Sequence, residues 1–334
     1  MIRLQHTVRR GSFVLDVDAE IPDAGVTGVF GASGSGKTTL LRCIAGLEGE
    51  GGPPVHQRNI GYVFQQPTLF PHLDVRRNLD YGARRSGSGR VDASQVIDML
   101  GLGDLLTRRP DTLSGGEAQR VAIGAALMRS PDLVLMDEPL ASLDRRRKDE
   151  LLPYFDRLHD ELSIPVVYVS HDIDEVSRLC DHLFVLEDGR VVANGDLFET
   201  LARVDIPQLG GRNAGVVLWA TPVDHAHGLT RFDFGDGDIW APGKFAISRN
   251  AMRLRIAASD VSIVRERPVQ TTILNVLPAT IENVHSVDEA TALIRLGVGN
   301  QRLLAQVTNR SIERLGLQDG ERVFAQLKSV TVRR

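Results

Sequence analysis

The 334-residue chain has only two cysteines, Cys43 and Cys180. They stand far apart in unrelated contexts, so no disulfide framework is expected and both read as small buried apolar residues. No apolar run approaches the roughly 18 residues that a membrane-spanning helix needs, and the opening segment from Met1 to Arg10 lacks the apolar core of a secretory signal. A soluble, intracellular protein is the expectation. An excess of one charge is missing too: 39 Lys and Arg against 43 Asp and Glu leave a net charge of -4, which excludes a generally basic, nucleic-acid-coating surface. There is no fixed-period repeat, and the one low-complexity tract is Ser86-Gly-Ser-Gly89. What is present is ordinary for a globular chain of two or three domains, 42% hydrophobic and 25% charged.

Phe13, Leu15, Val17, Ala19 and Ile21 alternate with polar residues, which predicts a strand with one buried face. Val26–Phe30, Leu133–Met136 and Val166–Val169 are continuous apolar runs, as expected of strands covered on both faces of a parallel sheet. Helical patterns over 38–45, 117–129 and 145–162 lie between them, which predicts a doubly wound α/β domain. After about residue 205 helical periodicity fades. Short β-type runs then follow one another between Gly, Asn and Asp turns, with a single helical insert at Ser311–Leu315, which predicts small β-barrels. The expected domains are 1–205, a β-rich connecting region 206–267 and a tail 268–334.

Gly31, Ala32, Ser33, Gly34, Ser35, Gly36, Lys37 and Thr38 fit the P-loop template at every fixed position, after a strand and before a helix. Backbone N–H groups of such a loop converge on phosphate oxygens, Lys37 reaches the β/γ-phosphates and the Thr38 hydroxyl ligates Mg²⁺. Leu133-Val-Leu-Met-Asp-Glu-Pro139 runs a buried strand into two carboxylates. Asp137 is expected to hold Mg²⁺, and Glu138 to orient and deprotonate the attacking water. Ser114 and Glu117 form a capping box at a helix start, and Gly115 and Gly116 expose further backbone N–H groups there, a second anion site. Two phosphate cradles in one chain make sense if the second serves a nucleotide held by another copy.

Leu113-Ser-Gly-Gly-Glu117 resembles the signature of ATP-binding-cassette (ABC) ATPases, and the other cassette motifs follow in the family's order. Gln65 matches the Q-loop glutamine, Leu140–Asp144 the D-loop, and His171 the switch histidine. The resemblance covers residues 1–205. It implies that Gly31 to Thr39 bind ATP, and that Thr38, Gln65 and Asp137 hold Mg²⁺. It further implies that Glu138, His171 and Gln65 serve hydrolysis. In a head-to-tail homodimer, Ser114, Gly115, Gly116 and Gln119 would face the other copy's nucleotide, with Asp144 in the D-loop. Three features depart from the family pattern. The stretch from Gly46 to Gln65 is short, so the antiparallel sheet is expected to be trimmed. Phe13 is the nearest candidate for adenine stacking, but its alternation puts it with the core. Ala125 stands where an Arg is common.

Without long coiled coils or a second cassette, the chain resembles importer ATPases that dock on a separate membrane permease. Arg58–His72, Asn78–Gly82 and the tail segments Thr271–Ile281, Gly316–Val323 and Lys328–Val332 resemble molybdate-importer ATPases in particular. The fold so implied is an α/β P-loop NTPase of the ABC cassette type, followed by an all-β region with a small OB-like or Mop-like barrel. That barrel would hold a regulatory molybdate through Thr271, Asn275, Lys328 and Ser329. The expected setting is peripheral, on the cytoplasmic face of the inner membrane, served by a periplasmic substrate-binding protein. Importers of sulfate, tungstate or iron, and a non-transport regulatory ABC ATPase, remain the alternatives.

Overall fold

A computed structural model describes residues 1–49, 55–83, 91–161 and 163–333. The chain divides into two compact units, Met1–Gly195 and Asp196–Arg334. The first opens with β1 (Ile2–Arg10) and β2 (Phe13–Ile21), paired as an antiparallel hairpin. It continues through β3 (Val26–Phe30), α1 (Lys37–Ala45), β4 (Ile60–Val63), α2 (Val75–Ala83), α3 (Ala93–Met99), α4 (Gly115–Leu127), β5 (Leu133–Asp137), α5 (Arg145–Glu161), β6 (Val166–Ser170), α6 (Ile173–Leu179), β7 (His182–Glu187) and β8 (Arg190–Asp196). The eight strands form one sheet in the order β1-β2-β8-β7-β3-β6-β5-β4.

Strands β3, β5 and β6 are buried at every position, which is why their sequences are uninterrupted apolar runs. Strand β2 buries Leu15, Val17 and Ile21 and exposes Val14, Asp16 and Asp18, the expected alternation. Phe13 is half-buried against the same core as Leu15 and Leu40. Helix α5 runs through Pro153, whose missing N–H removes one intrahelical hydrogen bond without ending the helix. The Ser86–Gly89 tract lies outside the described residues. So do positions 50–54 of the short Gly46–Gln65 stretch, where one 3-10 turn at Val55–Gln57 precedes β4.

The second unit holds α7 (Leu197–Leu201), β9 (Gly215–Ala226), β10 (Leu229–Asp233), β11 (Asp238–Pro242), β12 (Met252–Ala257), β13 (Val261–Val264), β14 (Asn275–Ser286), β15 (Thr291–Val298), β16 (Gln301–Thr308), α8 (Asn309–Leu315), β17 (Arg322–Leu327) and β18 (Thr331–Arg333). Its two five-stranded sheets run β11-β10-β9-β12-β18 and β13-β17-β14-β15-β16. Strand β13, before residue 268, pairs with β17, and β18 returns to pair with β12. The stretches 206–267 and 268–334 therefore share both sheets, and one core that includes Leu218, Phe232, Ile256, Ile281 and Leu296.

Candidate nucleotide site

Between β3 and α1 the chain must turn from strand to helix within a few residues. Gly34 (φ +84°) and Gly36 (φ +104°) make that turn in the left-handed region that glycine adopts at least cost. The loop wraps around Lys37, which is 5% exposed; its Nζ donates to Gly31 O and Ala32 O, both at 2.9 Å. Burial pulls the Lys37 pKa down, while the charges of Glu138 and Asp137 oppose that shift. Nζ lies 3.9 Å from Glu138 Oε1. Ala32 and Ser33 are exposed and Thr39 is buried. The Ser35 hydroxyl is buried without a hydrogen-bond partner among the described residues. A buried, unpaired hydroxyl in a loop of exposed backbone suits phosphate oxygens.

Strand register gathers the remaining groups. Phe30 pairs with Ser170, Asp137 with Val169, and Val63 with Met136. The P-loop, His171, Glu138 and Gln65 thus leave adjacent parallel strands at the same carboxyl edge, where ligands of open α/β sheets bind. Asp137 Oδ1 accepts from Thr38 Oγ1 at 2.9 Å, and Oδ2 accepts from the Tyr62 hydroxyl at 3.2 Å. Burial pushes the Asp137 pKa up, and these two hydrogen bonds pull it back. Burial also pushes the Tyr62 hydroxyl up, with the Asp137 charge adding to it, so Tyr62 remains a donor. Tyr62 lies in the Arg58–His72 stretch, but no part of the sequence pointed to its bond with Asp137. Glu138 leaves the strand at φ +45°, and its Oε2 lies 3.1 Å from His171 Nδ1. His171 is 56% exposed and Gln65 is exposed.

The Thr38 hydroxyl, the Asp137 carboxylate and the Gln65 amide are hard oxygen donors of the kind Mg²⁺ takes. Among the described residues no group of three or more His, Cys, Asp or Glu could hold a metal. Mg²⁺ is commonly bound through one or two carboxylates together with substrate phosphates rather than in an all-protein cage.

At the start of α4, Ser114 Oγ accepts from Glu117 N at 3.3 Å and Glu117 Oε2 accepts from Ser114 N at 2.7 Å, closing the capping box. Arg108 Nη1 donates to Glu117 Oε1 at 3.1 Å, a partner the motif alone did not reveal. Ser114 and Gly115 are exposed. Gln119 is not exposed with them: it is 1% exposed, one turn along the helix and facing the interior. Helical periodicity turns that position from the surface of the single chain, unlike Ser114 and Gly115. Asp144 is exposed and caps α5, its Oδ1 accepting from Arg147 N at 3.0 Å.

Of the four oxyanion candidates in the tail, Asn275 has both ends of its side chain occupied. Its Nδ2 donates to Trp240 O at 2.9 Å and its Oδ1 accepts from Trp240 N at 2.7 Å, so both ends of a buried amide are committed to the edge strand β11. Thr271 Oγ1 accepts from Ile273 N at 3.1 Å and meets Gln326 Nε2 at 3.5 Å. Lys328 and Ser329 are exposed just beyond Leu327, the register partner of Asn275.

Residues 14–141 match the ABC transporter family and residues 271–333 match the TOBE domain. The chain is 49% identical to the molybdenum import ATP-binding protein ModC of Methylococcus capsulatus over 340 residues, covering 96% of each chain. It is 46% identical to ModC 1 of Azotobacter vinelandii, covering 99% of this chain and 98% of that one. The chain belongs to the ModC family of ABC ATP-binding proteins. Among solved structures it resembles CbiO1 from Clostridium perfringens, part of the ABC transporter complex CbiONQ. There the TM-score is 0.52 at 25% identity, covering 62% of this chain and 92% of that one. Family membership accounts for the P-loop, the Asp137–Glu138 pair and the Ser114 helix start within one unit, and for the TOBE segment in the other.

Proposed function

We propose that the chain hydrolyses ATP to drive molybdate import through a separate membrane permease. The observation that carries this reading is the contact between Glu138 and His171 beside the Thr38–Asp137 pair, in a ModC-family chain. Lys37 has a third N–H beyond the two used on the loop carbonyls, and with the Gly34–Gly36 backbone it binds the β/γ-phosphates. Thr38, Asp137 and Gln65 would hold Mg²⁺, which would supply positive charge to neutralise the phosphates. Glu138 accepts the proton of the attacking water as its oxygen bonds to the γ-phosphorus and the bond to the β-phosphate oxygen breaks. His171 holds Glu138 in orientation and contacts the γ-phosphate.

The exposed N-terminus of α4 supports a head-to-tail homodimer, in which Ser114, Gly115 and Gly116 close over the other copy's ATP, with Asp144 at the same face. An apolar groove of about 370 Å³, lined by Phe64, Phe70, Tyr81 and Ala125, adjoins Gln65 and supports docking of a permease segment. An Arg at position 125 would narrow that groove. The setting is the cytoplasmic face of the membrane, with a periplasmic binding protein delivering the oxyanion. Thr271, Lys328 and Ser329, without Asn275, are the donors of a regulatory molybdate site. The test is ATP-dependent uptake by the chain reconstituted with its permease and binding protein. Molybdate should accumulate and sulfate should not. Sulfate uptake without molybdate uptake would assign another oxyanion.

A further inference from the structure

A buried polar chain that no motif announces lies between Asp144 and His171. Glu175, in the first turn of α6, has a side chain only 6% exposed, and its carboxylate accepts three hydrogen bonds. Lys148 Nζ reaches Oε1 at 2.6 Å; the Tyr168 hydroxyl and Ser170 Oγ reach Oε2 at 2.9 and 2.8 Å. Ser170 Oγ in turn accepts the Asp172 N–H at 3.0 Å, so the residues on either side of His171 are tied to one hydroxyl. On the far side, Lys148 Nζ lies 3.6 Å from Asp172 Oδ2, and its backbone N donates to Asp144 O at 2.9 Å. A buried carboxylate is tolerated where, as here, it is paired with a cation and accepts further hydrogen bonds. Burial pulls the Lys148 pKa down, but the hydrogen bonds and charges of Glu175 and Asp172 together outweigh this and hold it above the usual lysine range. Burial pushes Tyr168 well up, so it stays a donor.

The His171 ring is mostly exposed and its Nδ1 meets Glu138, while its chain neighbours Ser170 and Asp172 are held from beneath. We propose that Glu175 and Ser170 are positioning residues for His171, and that Lys148 ties the same loop to the Asp144 end of α5. The proposal rests on the reading of Glu138 and His171 given above. Under the dimer reading, the D-loop presented to a second copy is then wired to this copy's own base.

The test is steady-state ATP hydrolysis by the full-length chain carrying Glu175→Gln or Ser170→Ala, each alone and combined with His171→Ala, with ATP affinity and melting temperature measured alongside. Each single variant should lower kcat roughly tenfold, the rate equivalent of one lost charge-assisted hydrogen bond, with ATP affinity within about twofold. With His171→Ala already present, the further loss should shrink below about twofold, because residues acting as a unit are not additive. Ser170→Ala removes a single hydroxyl and makes the same comparison if Glu175→Gln does not fold. An equal fold-loss in both backgrounds, or an unchanged kcat in a variant with a lowered melting temperature, would make the network merely structural and overturn the proposal. A His171→Ala variant with wild-type kcat would instead remove the reading of the site, and the proposal with it.

Discussion

Thr38 Oγ1 donates to Asp137 Oδ1 at 2.9 Å, joining residues 99 positions apart. The contact fixes the first turn of α1 against the end of β5, so loop, helix and strand form one rigid frame. It also brings together two of the three groups proposed to hold Mg²⁺. Burial raises the Asp137 pKa, yet the Thr38 and Tyr62 hydrogen bonds favour the ionised form the metal needs.

Lys37→Ala removes a buried cation from the centre of the phosphate loop. ATP affinity should fall and turnover should drop by at least about a hundredfold, as for the loss of a preorganised electrostatic group. Nucleotide titration and a phosphate-release assay check this; near-wild-type hydrolysis would displace the phosphate site from this loop.

Glu138→Gln keeps the side chain's size and its contact with His171 but cannot take a proton. The kcat should fall by roughly 10²–10⁴ with ATP binding retained. Gel filtration in Mg-ATP should then show a stronger dimer peak than wild type. A monomer that binds ATP normally would count against both the base and the dimer.

Tyr62→Phe deletes the donor to Asp137 Oδ2 without changing packing volume. Groups that orient metal ligands typically contribute about 10–100-fold to metal affinity. The Mg²⁺ concentration for half-maximal hydrolysis should rise by about tenfold or more, with the melting temperature little changed. An unshifted Mg²⁺ titration would reduce Tyr62 to core packing.

Asn275→Ala strips both partners from the Trp240 backbone. Leaving a part-buried N–H and C=O without these partners should cost about 1–2 kcal/mol, read as earlier unfolding of the second unit. Molybdate binding, measured by calorimetry on the full chain, should respond to Lys328→Ala. Loss of binding through Asn275→Ala in a folded protein would return Asn275 to the ligand set.

Glu117 accepts the Ser114 N–H, and that backbone hydrogen bond, with the charge of Arg108 adding to it, holds its carboxyl below the usual glutamate range. A depressed folded-state pKa gives stability that is present above the unfolded value and lost as pH falls through the folded one. Acid should therefore loosen the start of α4, and Glu117→Gln should flatten that part of the acid-unfolding curve. An identical acid limb in the two proteins would contradict it.

The motifs of the candidate nucleotide site were legible in the sequence because short-range geometry fixes them. Only glycine readily follows the turn at Gly34 and Gly36, an apolar run must end where Asp137 and Glu138 reach the sheet edge, and a Ser three residues before a Glu closes its own cap. The same holds for the strands of the second unit, whose alternation is written locally. Long-range partners were not legible, because they depend on which element lies beside which. Tyr62 reaches Asp137 only because β4 pairs with β5, and Glu175 reaches Ser170 and Lys148 only because α5 and α6 pack beside β6. Gln119 looked like its exposed neighbours until the helix turned it inward. Asn275 read as a free ligand until β11 came within reach of both ends of its amide. Strand β18, at the end of the chain, pairs with β12 rather than within the tail. A polar side chain's role depends on whether its hydrogen-bonding capacity is already spent inside the fold, and only the tertiary structure decides that.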